Sequence, residues 1–250
     1  MEKPPLPEAK NTIGLWHGQL ADDDALSRHY LPLLSADELA RAESLSNPLM
    51  RLRHIEVRGR LRMLLADSLQ QHPAQLRIAR TGEGKPYLPD HPQLVFNISH
   101  TANYLAIAIA WDCRLGVDIE RCRPRANLAA LVDKCFSEEE AEYWHGLPDN
   151  QKQSAFYQFW TKKEAFVKAT GRGIALGLKQ CVVNPLQPDK FLRLPDAYGA
   201  VEGWKILDLE LATKAGDDVL CGTVVVDSPA VRVNCFQMGL MVHSQINPPS

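Results

Sequence analysis

Several signatures that commonly settle a function are missing from this 250-residue sequence. No run approaches 18 apolar residues, so no transmembrane helix is expected. The opening MEKPPLPEAK lacks the apolar stretch of a secretory signal. The cysteines, Cys113, Cys122, Cys135, Cys181, Cys221 and Cys235, form no C-x-x-C pair and do not cluster with histidines. That spacing argues against both a zinc site and a disulfide framework, and reduced thiols in a cytoplasmic protein are expected. Excess basic charge is missing too: the net charge is −2 at pH 7, so no global field recruits nucleic acid or a membrane. There is no G-x-x-x-x-G-K-[ST] loop for a nucleotide and no G-x-S-x-G for a serine hydrolase.

What remains is an ordinary globular composition, 45% hydrophobic and 23% charged, enough for one large domain or two small ones. The chain is organised around Gly116-Val117-Asp118-Ile119-Glu120. On a strand, Asp118 and Glu120 share a face, roughly 7 Å apart at their Cα atoms, while Val117 and Ile119 point into a core. Two hard oxygen donors make half a Mg²⁺ site. Taken alone, the five residues read as an edge strand with a solvated acidic face.

Patterning places a first strand over Thr12 to Leu20 and a short helix over Asp22 to Tyr30. Ser35-x-x-Glu38 and Ser137-x-x-Glu140 read as capping boxes that open helices. Asn47-Pro48 interrupts, and longer helices follow over Arg51 to Leu69 and Gln153 to Thr170, the second stopped by Gly171. Strands are expected over Leu76 to Ala79, Leu94 to Ile98 and Tyr104 to Trp111. Leu115 to Glu120 is expected to return on the last of these as a hairpin through Asp112-Cys113-Arg114. Arg121 to Asn127 is a polar linker. Strand-like stretches near Trp204 to Leu211, Leu220 to Asp227 and Val231 to Met238 complete the chain. The two boxes lie 102 positions apart, each followed by a long helix at the same distance, which argues for two similar α/β halves with a cleft between them.

Several side chains have the chemistry to line that cleft. Glu164 and Lys168 share a helix face one turn beyond Trp160, as either a surface ion pair or a third carboxylate with a phosphate-seeking lysine. Arg41, Arg51, Arg53, Arg58, Arg60 and Arg62 face only Glu43 and Glu56 over residues 41 to 62, a local anion site in an acidic protein. Gly82 to Pro86 is a turn whose glycines let a flat ligand approach, with Lys85 adding charge. Asn97 to His100 ends a strand near the acids, where Ser99 and His100 could donate to phosphate oxygens.

In order, GKP (84–86), FNISH (96–100), GVDIE (116–120), FSEEE (136–140), WTKKEAFVK (160–168) and GRGIALGL (171–178) resemble the Sfp-type 4′-phosphopantetheinyl transferases over about residues 30 to 180. The resemblance implies an α/β (α+β) pseudo-dimer of two halves. Residues 1–115 form the side for the adenine and 3′-phosphate of coenzyme A, 116–240 the metal and catalytic side, and 241–250 a tail. It implies a monomer that moves the phosphopantetheine arm of coenzyme A to a serine of an apo acyl, peptidyl or aryl carrier protein, releasing 3′,5′-ADP, in fatty acid, polyketide or nonribosomal peptide biosynthesis. By the same resemblance Asp118, Glu164 and Glu120 hold Mg²⁺, with Mn²⁺ as alternative. Glu164, Lys168 and His100 are catalytic. Arg41, Arg58, Arg80, Gly84, Lys85, Pro86, Asn97, Ser99, His100 and Lys168 contact coenzyme A. Thr101 stands where serine is common. Such a transfer needs crowded phosphate charge neutralised and a base for a poor nucleophile. Glu164 is expected as ligand and base, accepting the proton itself or through a water. Phe156, Tyr157 and Lys162 are candidate carrier contacts. A non-catalytic coenzyme A- or carrier-binding module predicts an incomplete acid set, and a metal-dependent nuclease predicts a broad basic surface. The sequence displays neither.

Overall fold

The computed structural model describes residues 11–173, 177–211, 219–228 and 231–238. The expected loose start, the 241–250 tail and the middle of GRGIALGL lie outside the described residues. The fold is mixed α/β. Its strands and helices, in order, are β1 (Thr12–Gln19), α1 (Asp24–Tyr30), α2 (Ala36–Glu43), α3 (Pro48–Leu69), β2 (Ala79–Arg80), β3 (Pro86–Tyr87), β4 (Leu94–Thr101), β5 (Tyr104–Trp111) and β6 (Leu115–Arg121). There follow α4 (Leu128–Cys135), α5 (Glu138–His145), α6 (Asp149–Thr170), β7 (Val182–Val183), β8 (Phe191–Arg193), β9 (Lys205–Asp208), β10 (Leu220–Val226) and β11 (Arg232–Gln237).

The alternation in β5 explains the layering. Leu105, Ile107 and Ile109 pack with Val57, Leu61 and Leu65 of α3. Ala106, Ala108 and Ala110 face the other way, against Val117, Ile119, Val224 and Val226. Large residues fill the space under a helix, and alanines let a second sheet come close. The first sheet runs β11-β1-β5-β4 and the second β6-β10-β9. On the far side of the second sheet lies α6, whose Phe156, Phe159 and Phe166 pack with Trp144, Trp204 and Val225. The order is thus helix, sheet, sheet, helix.

Two expectations fail on long-range pairing. β6 does not form a hairpin with β5. Asp112 turns the chain with a positive φ of 51°, and β6 enters the other sheet, antiparallel to β10, with Asp118 opposite Thr223. β11, expected with the second half, pairs parallel with β1, Leu15 opposite Cys235. The expected strand at Leu76 to Ala79 shrinks to the two residues of β2, paired with β3. Asn47-Pro48 separates α2 from α3 as expected and also starts α3, three residues before the expected Arg51: the Asn47 side chain accepts from Met50 N and Pro48 opens the helix.

Both capping boxes form, and each does more than cap. Glu38 also accepts from Arg62 Nε at 2.6 Å. Glu140 accepts from Lys163 Nζ at 2.6 Å and from Val183 N at 2.7 Å, with both members of the pair fully buried. Each eight-residue helix is followed by a 22-residue helix whose buried cation returns to the box. Removing one partner of a buried pair leaves an uncompensated charge, whereas exposed pairs contribute little. Glu140→Ala should therefore lower unfolding stability by about 3–5 kcal/mol, read by denaturant titration. Arg77→Ala, which removes an exposed pair with Asp90, should cost far less. Equal costs would refute this placement of the stabilising charge.

Candidate active site

β6 can lie against α6 because residue 116 is glycine. A Cβ there would stand 1.9 Å from Ala165 O and 2.6 Å from Ala169 N. This close approach brings the acidic face of the strand to the last turns of the helix. Asp118 is only 5% exposed, so the solvated reading fails for it. Its Oδ1 accepts from Lys168 Nζ at 2.7 Å and from Ser99 Oγ at 2.9 Å, while its buried Oδ2 has no hydrogen-bond partner. Lys168 thus pairs with Asp118 and also donates to Ser99 Oγ and Val117 O. Glu120, half-buried, accepts from Thr101 Oγ1 at 3.3 Å. Glu164 makes no ion pair among the described residues.

All three carboxylates titrate above the ordinary range. Burial is the largest cause for each. The Asp118 charge raises Glu120 and Glu164 further, and Glu120 adds to Glu164. Lys168 opposes the rise at each. Mutual repulsion, a buried orphan oxygen and hard oxygen donors suit a divalent cation on Asp118, Glu164 and Glu120. As they stand, no three His, Cys, Asp or Glu side chains among the described residues are drawn together into a ligand set.

Beside this group lies a cavity of about 730 Å³ between α3, β4, the Thr81–Lys85 turn and the end of α6. Among its described lining residues, Arg41, Arg53, Arg58, Arg80, Lys85 and Lys168 stand against Glu83 and Glu164 only. Arg58 is half-buried, and its Nε has no partner. Burial, with Arg80 and Arg62 near, holds its guanidinium below the usual value, although Glu38 opposes this. Arg80 donates to Gly84 O at 2.9 Å, where the turn takes a φ of 90° that glycine adopts without strain. Arg41 is exposed and reaches Ser44 Oγ. Pro86 also lines the space. His100 is exposed in the cavity and titrates below the usual imidazole value, first through desolvation and then through Lys168, Arg58 and Arg53.

Not every expected contact faces the cavity. FNISH lies within strand β4, as the strand expected from Leu94 implied. Ser99 is buried, and its hydroxyl joins Asp118, Lys168 and Ile119 N. Asn97 borders the cavity, yet its Oδ1 accepts from Val117 N at 2.9 Å. Lys85 directs its ammonium to Ala169 O at 2.7 Å and Leu115 O at 3.2 Å, and burial lowers it to about 8. Asp118 and Glu120 stand behind Lys168 and outside the lining. Of the six arginines, Arg60 and Arg62 are buried with Glu56 and Glu38, and Arg53 binds Asp22. Phe156, Tyr157 and Lys162 are each about 1% exposed, too little to receive a carrier. One lining residue escaped notice: His54, one turn before Arg58, whose buried Nε2 has no partner. Its spacing from Arg58 on a helix was the available signal.

The site is thus a cationic wall beside a carboxylate–lysine group in an α/β fold. The comparisons specify the family. A profile of the 4′-phosphopantetheinyl transferase superfamily matches residues 114–210, and one of the 4′-phosphopantetheinyl transferase N-terminal region matches 51–112. The chain is 35% identical over 214 residues to the 4′-phosphopantetheinyl transferase HetI of Nostoc sp., covering 84% of this chain and 87% of that one. It is 34% identical to a putative 4′-phosphopantetheinyl transferase of Synechocystis sp., over 78% and 80% of the two chains. To the 4′-phosphopantetheinyl transferase Sfp of Bacillus subtilis it is 29% identical over 55% and 61%. The chain belongs to the 4′-phosphopantetheinyl transferase superfamily, a family of transferases.

The raised carboxylates give a test of cation binding. A carboxylate whose folded pKa is raised destabilises the fold as pH rises through the window from its unfolded value to its folded one, and the cost is complete above it. A cation relieves the cost only when the groups are ionised. Saturating Mg²⁺ should therefore raise the thermal midpoint by roughly 5 °C at pH 7.5 and by much less at pH 5. EDTA should reverse the shift, and Asp118→Asn should abolish it. Equal shifts at both pH values would rule out these carboxylates as the binding groups.

Proposed function

We propose that this protein transfers the 4′-phosphopantetheine arm of coenzyme A to a serine hydroxyl of an apo carrier protein and releases 3′,5′-ADP. The observation that carries the reading is the cavity, where Arg41, Arg58, Arg80 and Lys168 remain of six lining cations once Arg53 pairs with Asp22 and Lys85 binds carbonyls, with Glu164 at its border. Family membership supports coenzyme A as donor and a carrier as acceptor. Arg58, Arg80 and Arg41 would bind the 3′-phosphate and the adenine end, and the unpaired Arg58 Nε awaits an acceptor there. Lys168 and His100 would face the pyrophosphate and stabilise charge that grows on its oxygens. Asp118 through its orphan Oδ2, Glu164 and Glu120 would hold Mg²⁺. When bound, the ion neutralises pyrophosphate oxygens and polarises the bond to be broken.

Glu164 would accept the proton of the acceptor serine, directly or through a water. A carboxylate that also holds the ion is a weaker base, so the two roles compete at this side chain. The serine oxygen bonds to phosphorus as the phosphoanhydride oxygen leaves with 3′,5′-ADP. The cysteine spacing, with no C-x-x-C pair and no histidine cluster, supports a reducing compartment such as the cytoplasm. Among the described residues no helix is long and apolar enough to cross a membrane. We take the protein to act as a monomer whose two halves form a pseudo-dimer, on the strength of the repeated helix pair.

With coenzyme A and Mg²⁺, a panel of apo acyl, peptidyl and aryl carriers should include one that gains about 340 Da in the metal-assisted transfer, read by intact mass. Asp118→Ala and Glu164→Ala should each cost roughly 10²-fold or more in turnover, and Glu120→Ala much less. No mass gain on any carrier would overturn the enzyme reading. A separate expectation concerns the cationic wall. Arg58→Ala should raise KM for coenzyme A by roughly tenfold or more, as for a lost charge-assisted contact, and leave KM for 3′-dephospho-coenzyme A unchanged. A parallel rise for both donors would remove Arg58 from the 3′-phosphate.

A further inference from the structure

The end of β6 carries a pair of thiols that the transfer chemistry does not use. Cys221 on β10 stands directly opposite Glu120. Cys122 follows Glu120 by two residues and continues the strand pairing, its N–H donating to Val219 O at 2.8 Å. Alternation therefore puts Glu120, Cys122 and Cys221 on one face, with the two cysteines as diagonal neighbours across the strand pair. Their sulfurs are 2.7 Å apart. That is closer than two unbonded sulfurs rest, and closing it to a bond of about 2.05 Å asks for a small movement of side chains. Both cysteines are half-buried, within reach of a small reagent, whereas Cys181 is buried.

We propose that Cys122 and Cys221 form a modification site, a dithiol that a small disulfide of the glutathione class converts to a cross-strand disulfide. One thiolate attacks the reagent disulfide, giving a mixed disulfide and one reagent thiol. The second thiolate then attacks the protein sulfur of that mixed bond and expels the other reagent thiol. The two protein thiols are oxidised, the reagent disulfide is reduced to two thiols, and the protein loses two hydrogens. The bond closes a loop between positions 99 residues apart and fastens the strand beyond Glu120 to β10. Its formation is independent of any transfer activity.

The test uses the full chain under native conditions. After incubation with oxidised glutathione, remaining thiols are blocked with N-ethylmaleimide and the protein is examined by intact mass and peptide mapping. The expected product has lost two of its six alkylable thiols and contains one bridged peptide joining Cys122 to Cys221, reversed by dithiothreitol. Cys122→Ser and Cys221→Ser should each abolish the bridge and retain glutathione on the surviving thiol, while Cys235→Ser keeps the bridge. Because the long loop constrains the unfolded chain, the bridged protein should melt roughly 5–10 °C higher than the reduced one. Six alkylated thiols, a bridge to any other cysteine, or a bridged protein that melts no higher would each overturn the proposal.

Discussion

The two sheets meet through a row of side-chain hydrogen bonds, and the site depends on that row. The free edge of β6 points the N–H groups of Val117, Ile119 and Arg121 away from β10. Buried donors of this kind cost about 1–3 kcal/mol each if left unpaired. β4 supplies side-chain oxygens in place of a backbone ladder: Asn97 Oδ1 for Val117, Ser99 Oγ for Ile119, Thr101 Oγ1 for Arg121. Alternate positions on one strand serve alternate positions on the other. The sheets are joined without being merged, and the edge of β6 is closed to further pairing.

The same three side chains set the acids. Ser99 takes one hydrogen bond from the backbone of β6 and gives one to Asp118, while Lys168 donates to both. Thr101 does the equivalent for Glu120. The joint therefore turns the strands and orients the carboxylates at once. It also explains why Ser99 is unavailable to a ligand although its neighbour His100 faces the cavity. On β4 the odd positions belong to the joint, and the even ones to the helix side and the cavity.

Local order was legible in the sequence because its causes are local. The capping boxes, the Pro48 and Gly171 boundaries of the long helices, and the large–small alternation of β5 act within a few residues. The family resemblance rested on residue types, and only some of its motifs border the cavity, through Gly84 to Pro86, Asn97, His100, Glu164 and Lys168, while Phe136 to Glu140 lies outside its lining. Partner strands were not legible. A turn such as Asp112 to Arg114 looks the same whether the next strand returns to its neighbour or crosses to another sheet, and β6 finds β10 about a hundred residues later. Side-chain commitments were hidden for a related reason. Lys162 reads as a carrier contact and Arg62 as part of an anion site, yet each, like Lys163, is buried against a carboxylate from a distant segment.

Lys85 shows how the cleft is held. Its ammonium leaves the first-half turn and binds carbonyls at the start of β6 and the end of α6. The Ala169 carbonyl belongs to the last turn of α6, where the helix dipole favours a cation. Burial lowers Lys85 to about 8, so at neutral pH it remains mostly charged and keeps both bonds. A cation spent in this way cannot also serve a phosphate. Ligand charge then falls to side chains with unused donors, Arg58 above all, and to Lys168, which already shares Asp118. The cavity thus divides its basic residues between one that ties the Thr81–Lys85 turn to β6 and α6 and others, Arg58 among them, with donors unused.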